Sequence, residues 1–268
     1  MSCLRLEKTT ALKITRLDDG RALETEDRVI KENILIIKIN GRHVVGLAYL
    51  PGMEKELVFG HLFTTGIIKS VDEVQDYSYS NSIASLRFKE GINVEDRFAG
   101  RVTGGRLVIS ACGSPEYFDQ LRQGVGISKV LSNLRVESET IFSAVKTMNK
   151  GAATFHISGS SHAATLFTKE GDLLLLSEDV GKHNAVDKII GAAILSGIKL
   201  EESFLLCSGR QTVDIVVKAA RAGIPIFAAL SAPTDSGVFA AESTNITLIG
   251  FIRGKRMNIY THPHRILL

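Results

Sequence analysis

The feature that most constrains this chain lies in its second half, where apolar runs of strand length alternate with helical patterns. The runs are "AATLFT" (163–168), "DLLLLSE" (172–178), "FLLCSG" (204–209), "IPIFAAL" (224–230), "ITLIGF" (246–251) and "MNIYT" (257–261). Between them stand the helical stretches "KHNAVDKIIGAAILSG" (182–197), "QTVDIVVKAARAG" (211–223) and a short one near 236–243. A further helix precedes them at "SETIFSAVKTMNK" (138–150), with Ser138 as its expected N-cap and Gly151 as its stop. Hydrophobicity that is continuous along a strand rather than alternating requires cover on both faces. The expected fold class is therefore α/β, a layered core with a mixed, largely parallel sheet between helices.

The first half has another texture. "VIKENILIIKINGRHVVGLAYL" (29–50) holds two β-rich runs around Asn40-Gly41, a dipeptide suited to a type I′ turn in which both central residues take positive φ. "GMEKELVFGHLFTTGII" (52–68) gathers Glu54, Lys55 and Glu56 at its start, as an amphipathic helix does, and short strands follow at "VQDYSYS", "SIASLRFK" and "RLVIS". We expect a β-rich N-terminal subdomain over residues 1–135 and the α/β domain over residues 136–268, with a soft boundary at "VLSNLRVES" (130–138).

Composition narrows the classes of function. With 44% hydrophobic and 23% charged residues, the chain has the make-up of an ordinary globular protein. A net charge of only +3, no Lys/Arg stripe with interleaved aromatics and no Trp argue against nucleic acid as a partner. No run reaches the roughly 18–20 apolar residues of a membrane span, and "MSCLRLEKTT" lacks the apolar core of a signal peptide. A cytoplasmic protein with no membrane partner is expected. The three cysteines, Cys3, Cys112 and Cys207, are widely spaced, which fits a reducing compartment and no disulfide framework.

In open α/β sheets ligands bind beyond the carboxyl ends of the strands, at turns that expose the N–H groups of helix starts. Four turns here are rich in Ser, Gly and cations: "EDVGKHNAVDK" (178–188) with Lys182 and His183; "SGRQT" (208–212) with Ser208, Gly209 and Arg210; "SAPTDSG" (231–237); and "FIRGKRMN" (251–258) with Arg253, Lys255 and Arg256 around Gly254. Together they describe a rim suited to phosphates and hydrogen-bonding bases. Each alone has a plainer explanation. "SGR" reads as a capping turn, "FIRGKR" as a solvated charged edge, and His183 with Asp187, four residues apart, as a pair on a helix surface.

One cysteine stands apart. Gly113 and Pro115 turn the chain out of a strand-like run directly after Cys112 in "VISACGSPEYF" (108–118). On the residues alone three readings stay open: a buried sulfur, a metal ligand, or a nucleophile presented to solvent. None of the seven histidines begins an H-x-E and no C-x-x-C exists, so no structural or hydrolytic zinc is expected. No G-x-S-x-G is present either, "ISGSSHAA" (157–164) being the nearest approach. Cys207, inside an apolar strand, reads as core, and Cys3 as incidental.

At "SEDVGKHNAVDKIIGAA", "SGRQTVDIVVKAARAGIPIFAALSAPT", "ITLIGFIRGKRMNIYTHPHRI", "NGRHVVGLAYLPG" and "ACGS" the sequence resembles the FdhD family of formate dehydrogenase accessory sulfurtransferases, over nearly the whole chain. The resemblance implies a cytidine-deaminase-like α/β core, a homodimer, and a carrier that takes persulfide sulfur from a cysteine desulfurase. The sulfur would pass to the molybdenum or tungsten cofactor, Mo-bis(molybdopterin guanine dinucleotide), before that cofactor enters formate dehydrogenase. By the same resemblance Cys112 bears the persulfide, and Phe251, Ile252, Arg253, Gly254, Lys255 and Arg256 form the cofactor-binding stretch. Lys182, His183, Ser208, Gly209 and Arg210 would complete that site. Guanine nucleotides such as GDP would mimic the cofactor, with Asp179, Asp187 or Asp235 as an acceptor for the base. Many members have a second cysteine three residues after the first. Here Pro115 stands there, which leaves a single-cysteine carrier. Two other readings remain: a non-catalytic guanine-dinucleotide cofactor chaperone that docks on the dehydrogenase, and, further off, a zinc-free relative of nucleobase deaminases.

Overall fold

The computed structural model describes residues 8–93, 97, 102–103, 106–107 and 127–268, so Cys3 and the Cys112 turn lie outside the described residues. Strands β1 (Thr9–Asp18) and β2 (Arg21–Ile30) form an antiparallel ribbon, in register from Thr9 opposite Ile30 to Asp18 opposite Arg21. Sequence reading passes over this ribbon because most of its residues are exposed on both faces, which removes the alternation that marks a half-buried strand.

The expected hairpin follows as β3 (Asn33–Ile39) and β4 (Arg42–Tyr49), turning on Asn40 (φ 49) and Gly41 (φ 81). With β5 (Val74–Ser80) and β6 (Ile83–Phe88) it makes a four-stranded sheet in the order β4-β3-β6-β5. Leu35, Ile37, Leu47 and Leu86 of that sheet share a core with Leu57, Val58 and Leu62 of α1 (Glu54–Thr64). The two-residue strands β7 (Val102–Thr103) and β8 (Arg106–Leu107) pair with each other.

The second half contains β9 (Val136–Glu137), α2 (Ser138–Gly151), α3 (Ala153–Ser158), β10 (His162–Thr168), β11 (Leu173–Asp179), α4 (Lys182–Ser196), β12 (Ser203–Cys207), α5 (Val213–Arg221), β13 (Ile226–Ala229), α6 (Asp235–Thr244), β14 (Thr247–Arg253), β15 (Arg256–Ile259) and β16 (Ile266–Leu267). A six-stranded sheet runs β11-β10-β12-β13-β14-β15. The expectation of a largely parallel sheet is corrected: only the β12–β13 and β13–β14 pairings are parallel, while β10 is antiparallel to both its neighbours and β14 to β15. The continuous hydrophobicity reports burial on both faces, not strand direction. Leu205, Cys207, Phe227 and Ala229 pack with α4 and α5 on one face, and Phe204, Leu206, Ile226 and Ala228 with α2 on the other. Ser138 is also corrected. It is the first helical residue of α2 rather than its cap, because Glu137 holds the cap position as it leaves the β9–β16 pairing.

Helix α1 crosses α4 at backbone contact. A β-carbon on Gly60 would overlap the Asp187 carbonyl, and one on Gly191 the Glu56 carbonyl, so both positions need glycine for the approach rather than for φ.

Candidate functional site: a cationic rim at one end of the sheet

Strands β11, β12, β13 and β14 all end at one edge of the sheet, and α4, α5 and α6 begin there. Because β10 runs antiparallel, its first residue, His162, arrives at the same edge. Ser208 ties the two together. Its N–H donates to Ala163 O at 3.0 Å, its Oγ accepts the Ala163 N–H at 3.1 Å, and His162 Nδ1 stands 3.2 Å from that Oγ. Ser231 Oγ donates to Ser208 O at 2.9 Å, fastening the next turn alongside. Gly209 is squeezed in the same cluster, since a β-carbon there would lie 3.0 Å from Lys182 Cβ and 3.6 Å from His162 Nδ1. Lys182, the first residue of α4, reaches over this turn and donates from Nζ to Arg210 O at 3.3 Å and to Thr212 Oγ1 at 3.4 Å. The Arg210 side chain is exposed.

The second flank of the rim is the end of β14. The β14–β15 register shifts between Gly250 and Arg253, and Phe251 adopts φ 56, a strained conformation for a non-glycine residue. Its N–H donates to Ser231 O at 3.1 Å, which joins this flank to the Ser208 turn. The Phe251 ring is 37% exposed, and the guanidinium carbons of Arg253 and Arg256 stand 5.2 and 5.1 Å from its centre, both at cation–π range. Arg253 Nη1 also donates to Leu230 O at 2.6 Å. Gly254 (φ 58) closes the β14–β15 turn, and Lys255 is almost fully exposed. Ile252 is 2% exposed, and its side chain belongs to the core beside Ile249 and Ile266.

Much of "SEDVGKHNAVDK" faces inward. Glu178 accepts the N–H groups of Thr154 and Phe155, each at 2.8 Å, at the start of α3. Asp179 accepts from Leu50 N (3.1 Å), Gly181 N (3.0 Å) and Asn184 Nδ2 (3.0 Å), and pairs with Lys188 Nζ at 2.7 Å. Asp187 is fully buried and receives Lys218 Nζ at 2.7 Å, Thr64 Oγ1 at 2.7 Å and His61 Nδ1 at 3.3 Å. Burial alone would push the Asp187 carboxyl up, but Lys218 and His61 outweigh it and hold it down at about 2. The reading of His183 and Asp187 as a helix-surface pair is thereby corrected, because Asp187 turns toward α1 and α5. Asp179 and Asp187 are likewise removed as acceptors for a base, and Asp235 remains exposed on the rim. His183 is mostly enclosed. Burial, then Lys218 and Lys182, push its pKa down to about 3, so it brings no positive charge near neutral pH.

Cys207 is 1% exposed and burial raises its thiol to about 12, as its strand position suggested. Among the described residues no three His, Cys, Asp or Glu side chains converge as a metal site, and no helix is long and apolar enough to cross a membrane. His162 and Ser231 were not singled out from sequence, yet they are the residues that join the rim's parts.

The sequence pattern of the FdhD/NarQ family matches residues 30–267. The chain belongs to the FdhD/NarQ family. Among its FdhD relatives, a protein of Methanothermobacter thermautotrophicus is 37% identical over 94% of this chain and 96% of its own length, and one of Bacillus subtilis is 34% identical over 97% and 98%. Both carry the name sulfur carrier protein FdhD. The crystal structure of a proposed formate dehydrogenase accessory protein from Desulfotalea psychrophila superposes with a TM-score of 0.79 at 25% identity, covering 97% of this chain and 99% of that one.

Proposed function

We propose that this FdhD/NarQ family member is a sulfur carrier for formate dehydrogenase: it takes persulfide sulfur from a cysteine desulfurase onto Cys112 and delivers it to Mo-bis(molybdopterin guanine dinucleotide) held at the rim. Loading needs one exchange. The Cys112 thiolate attacks the outer sulfur of the desulfurase persulfide, a new S–S bond forms, the old one breaks, and the desulfurase thiolate leaves. The outer sulfur on Cys112 is then the atom delivered. With Pro115 three residues on, the sequence around Cys112 carries no second thiol to intercept it as a disulfide.

The rim is read as the cofactor's seat because of one observation above all. Phe251 offers a partly exposed ring flanked by Arg253 and Arg256, beside the turn that carries Arg210 and that Lys182 of α4 covers, which matches what a stacked base and its phosphates need. The starts of α4, α5 and α6 add their N–H groups and positive dipole ends. The helix-covered sheet is consistent with a cytidine-deaminase-like core, and we carry the cytoplasmic homodimer with the division at residues 135/136 as parts of the same reading. Calorimetric titration with GDP and ADP tests the site. GDP should bind more tightly than ADP, and Arg253→Ala or Arg256→Ala should weaken GDP about ten- to a hundredfold, the loss of one charge-assisted contact of about 1.5–3 kcal/mol. Equal binding of both nucleotides, unchanged by either substitution, would reduce the segment to a charged edge.

A further inference from the structure

His162 occupies a position that can hold either protonation state without moving. Ser208 Oγ spends one lone pair on the Ala163 N–H, at 3.1 Å, and keeps a second lone pair and its own proton, with His162 Nδ1 3.2 Å away. The hydroxyl can therefore donate to a neutral imidazole or accept from an imidazolium. Three elements surround the ring, and two of them bring charge to it. Lys182 comes from α4, Asp179 from β11, directly across the ladder from His162, and the turn after β12 contributes the Ser208 hydroxyl, its Arg210 side chain being exposed. The Asp179 carboxylate is engaged with Lys188, Leu50, Gly181 and Asn184. Burial and Lys182, opposed by Asp179, keep the ring's pKa below the ordinary histidine range. The His162 ring is thus a neutral member of a cationic cluster, enclosed enough to feel any anion that settles on Lys182.

We propose that His162 takes up a proton when the rim binds the phosphates of a guanine nucleotide, so that loading of the cofactor site is linked to pH. This rests on the rim being the nucleotide site. A phosphate paired with Lys182 brings negative charge beside the ring and favours the imidazolium. The midpoint of His162 then rises on binding, and by linkage affinity rises as the pH falls through the bound-state midpoint, levelling off below the free-state one. Each unit of difference between the two midpoints is worth about tenfold in affinity.

The test is GDP titration of wild type and His162→Gln across about pH 8 to pH 6, in buffers of different ionisation enthalpy so that proton uptake is read from the heat. Glutamine keeps a partner for Ser208 but cannot titrate. GDP's own phosphate titrates in this range, so the quantity that decides is the difference between the two proteins. Wild type should take up more protons than His162→Gln and gain about tenfold more affinity towards the acid end. In wild type alone, the His162 ring resonance should titrate at a higher midpoint with GDP than without. GDP binding with identical proton uptake in both proteins, or an unmoved His162 midpoint, would overturn the inference while leaving the rim as the nucleotide site. No GDP binding by either protein at any pH would overturn both.

Discussion

A Cys112→Ala protein incubated with a cysteine desulfurase and cysteine should gain no sulfane sulfur, whereas wild type should gain one sulfur on the peptide containing Cys112. The expectation is close to all-or-none because Cys207 cannot substitute. At 1% exposure, with its thiol pushed up to about 12 by burial, it offers neither access nor thiolate near neutral pH. Mass spectrometry of the digested protein reads the result peptide by peptide and so also reports on Cys3. Sulfur loading of the Cys112→Ala protein equal to wild type would remove the carrier role from this residue.

Lys218→Met should destabilise the fold by about 3–5 kcal/mol, because it leaves the fully buried Asp187 carboxylate without its cation. Thr64 and His61 still bond to Asp187, but the Lys218 ammonium is the largest influence holding the carboxyl down against burial. Since the folded-state carboxyl is held at about 2, below the ordinary carboxylate range, its contribution is complete above about pH 4 and is lost as the pH falls through about 2. A denaturant series should show a steeper acid limb in wild type than in Asp187→Asn, which keeps only what other depressed carboxylates such as Glu73 contribute. The double variant Asp187→Leu with Lys218→Met should recover much of the loss, since a packed apolar pair avoids desolvating two charges. If Lys218→Met unfolds at the same denaturant concentration as wild type, the pair does not clasp α4 and α5 to α1.

The parts of the fold that could be read from sequence are those whose burial is one- or two-sided and whose turns have specific chemistry. Asn40-Gly41 marked the β3–β4 hairpin because only such residues sit easily at positive φ in succession. The strands of the main sheet were found as elements, but their directions were not, since apolar cover looks the same to a parallel and an antiparallel strand. That single ambiguity hid His162. In an all-parallel sheet the start of β10 would lie at the far end from Ser208, and only the antiparallel β10–β12 pairing brings the two to 3.2 Å. The β1–β2 ribbon escaped for the opposite reason, as exposed strands carry no burial pattern.

The rim was legible as a set of turns, because Lys182, Ser208, Gly209, Arg210 and the 251–256 segment stand where strands end. The sequence could not divide "SEDVGKHNAVDK" into working and structural residues. Asp179, Asp187 and Lys188 are polar, close to Lys182 and His183 in sequence, and yet their charges are buried among themselves, Lys218, the Leu50 backbone and the side chains of His61 and Thr64. Whether a charge on a helix points to solvent or to another helix depends on what packs there, and the α1–α4 contact joins segments more than a hundred residues apart.

The central claim is that one molecule both carries the sulfur and seats the cofactor. The most direct measurement follows radiolabelled sulfur from cysteine, through the desulfurase and this protein, into the cofactor of formate dehydrogenase. Wild type should deliver label and activate the dehydrogenase. A variant with Lys182, Arg253 and Arg256 replaced by Ala should load sulfur on Cys112 as wild type does and deliver little of it. Activation of the dehydrogenase by the Cys112→Ala protein to the level of wild type, or undiminished delivery by the rim variant, would contradict the account.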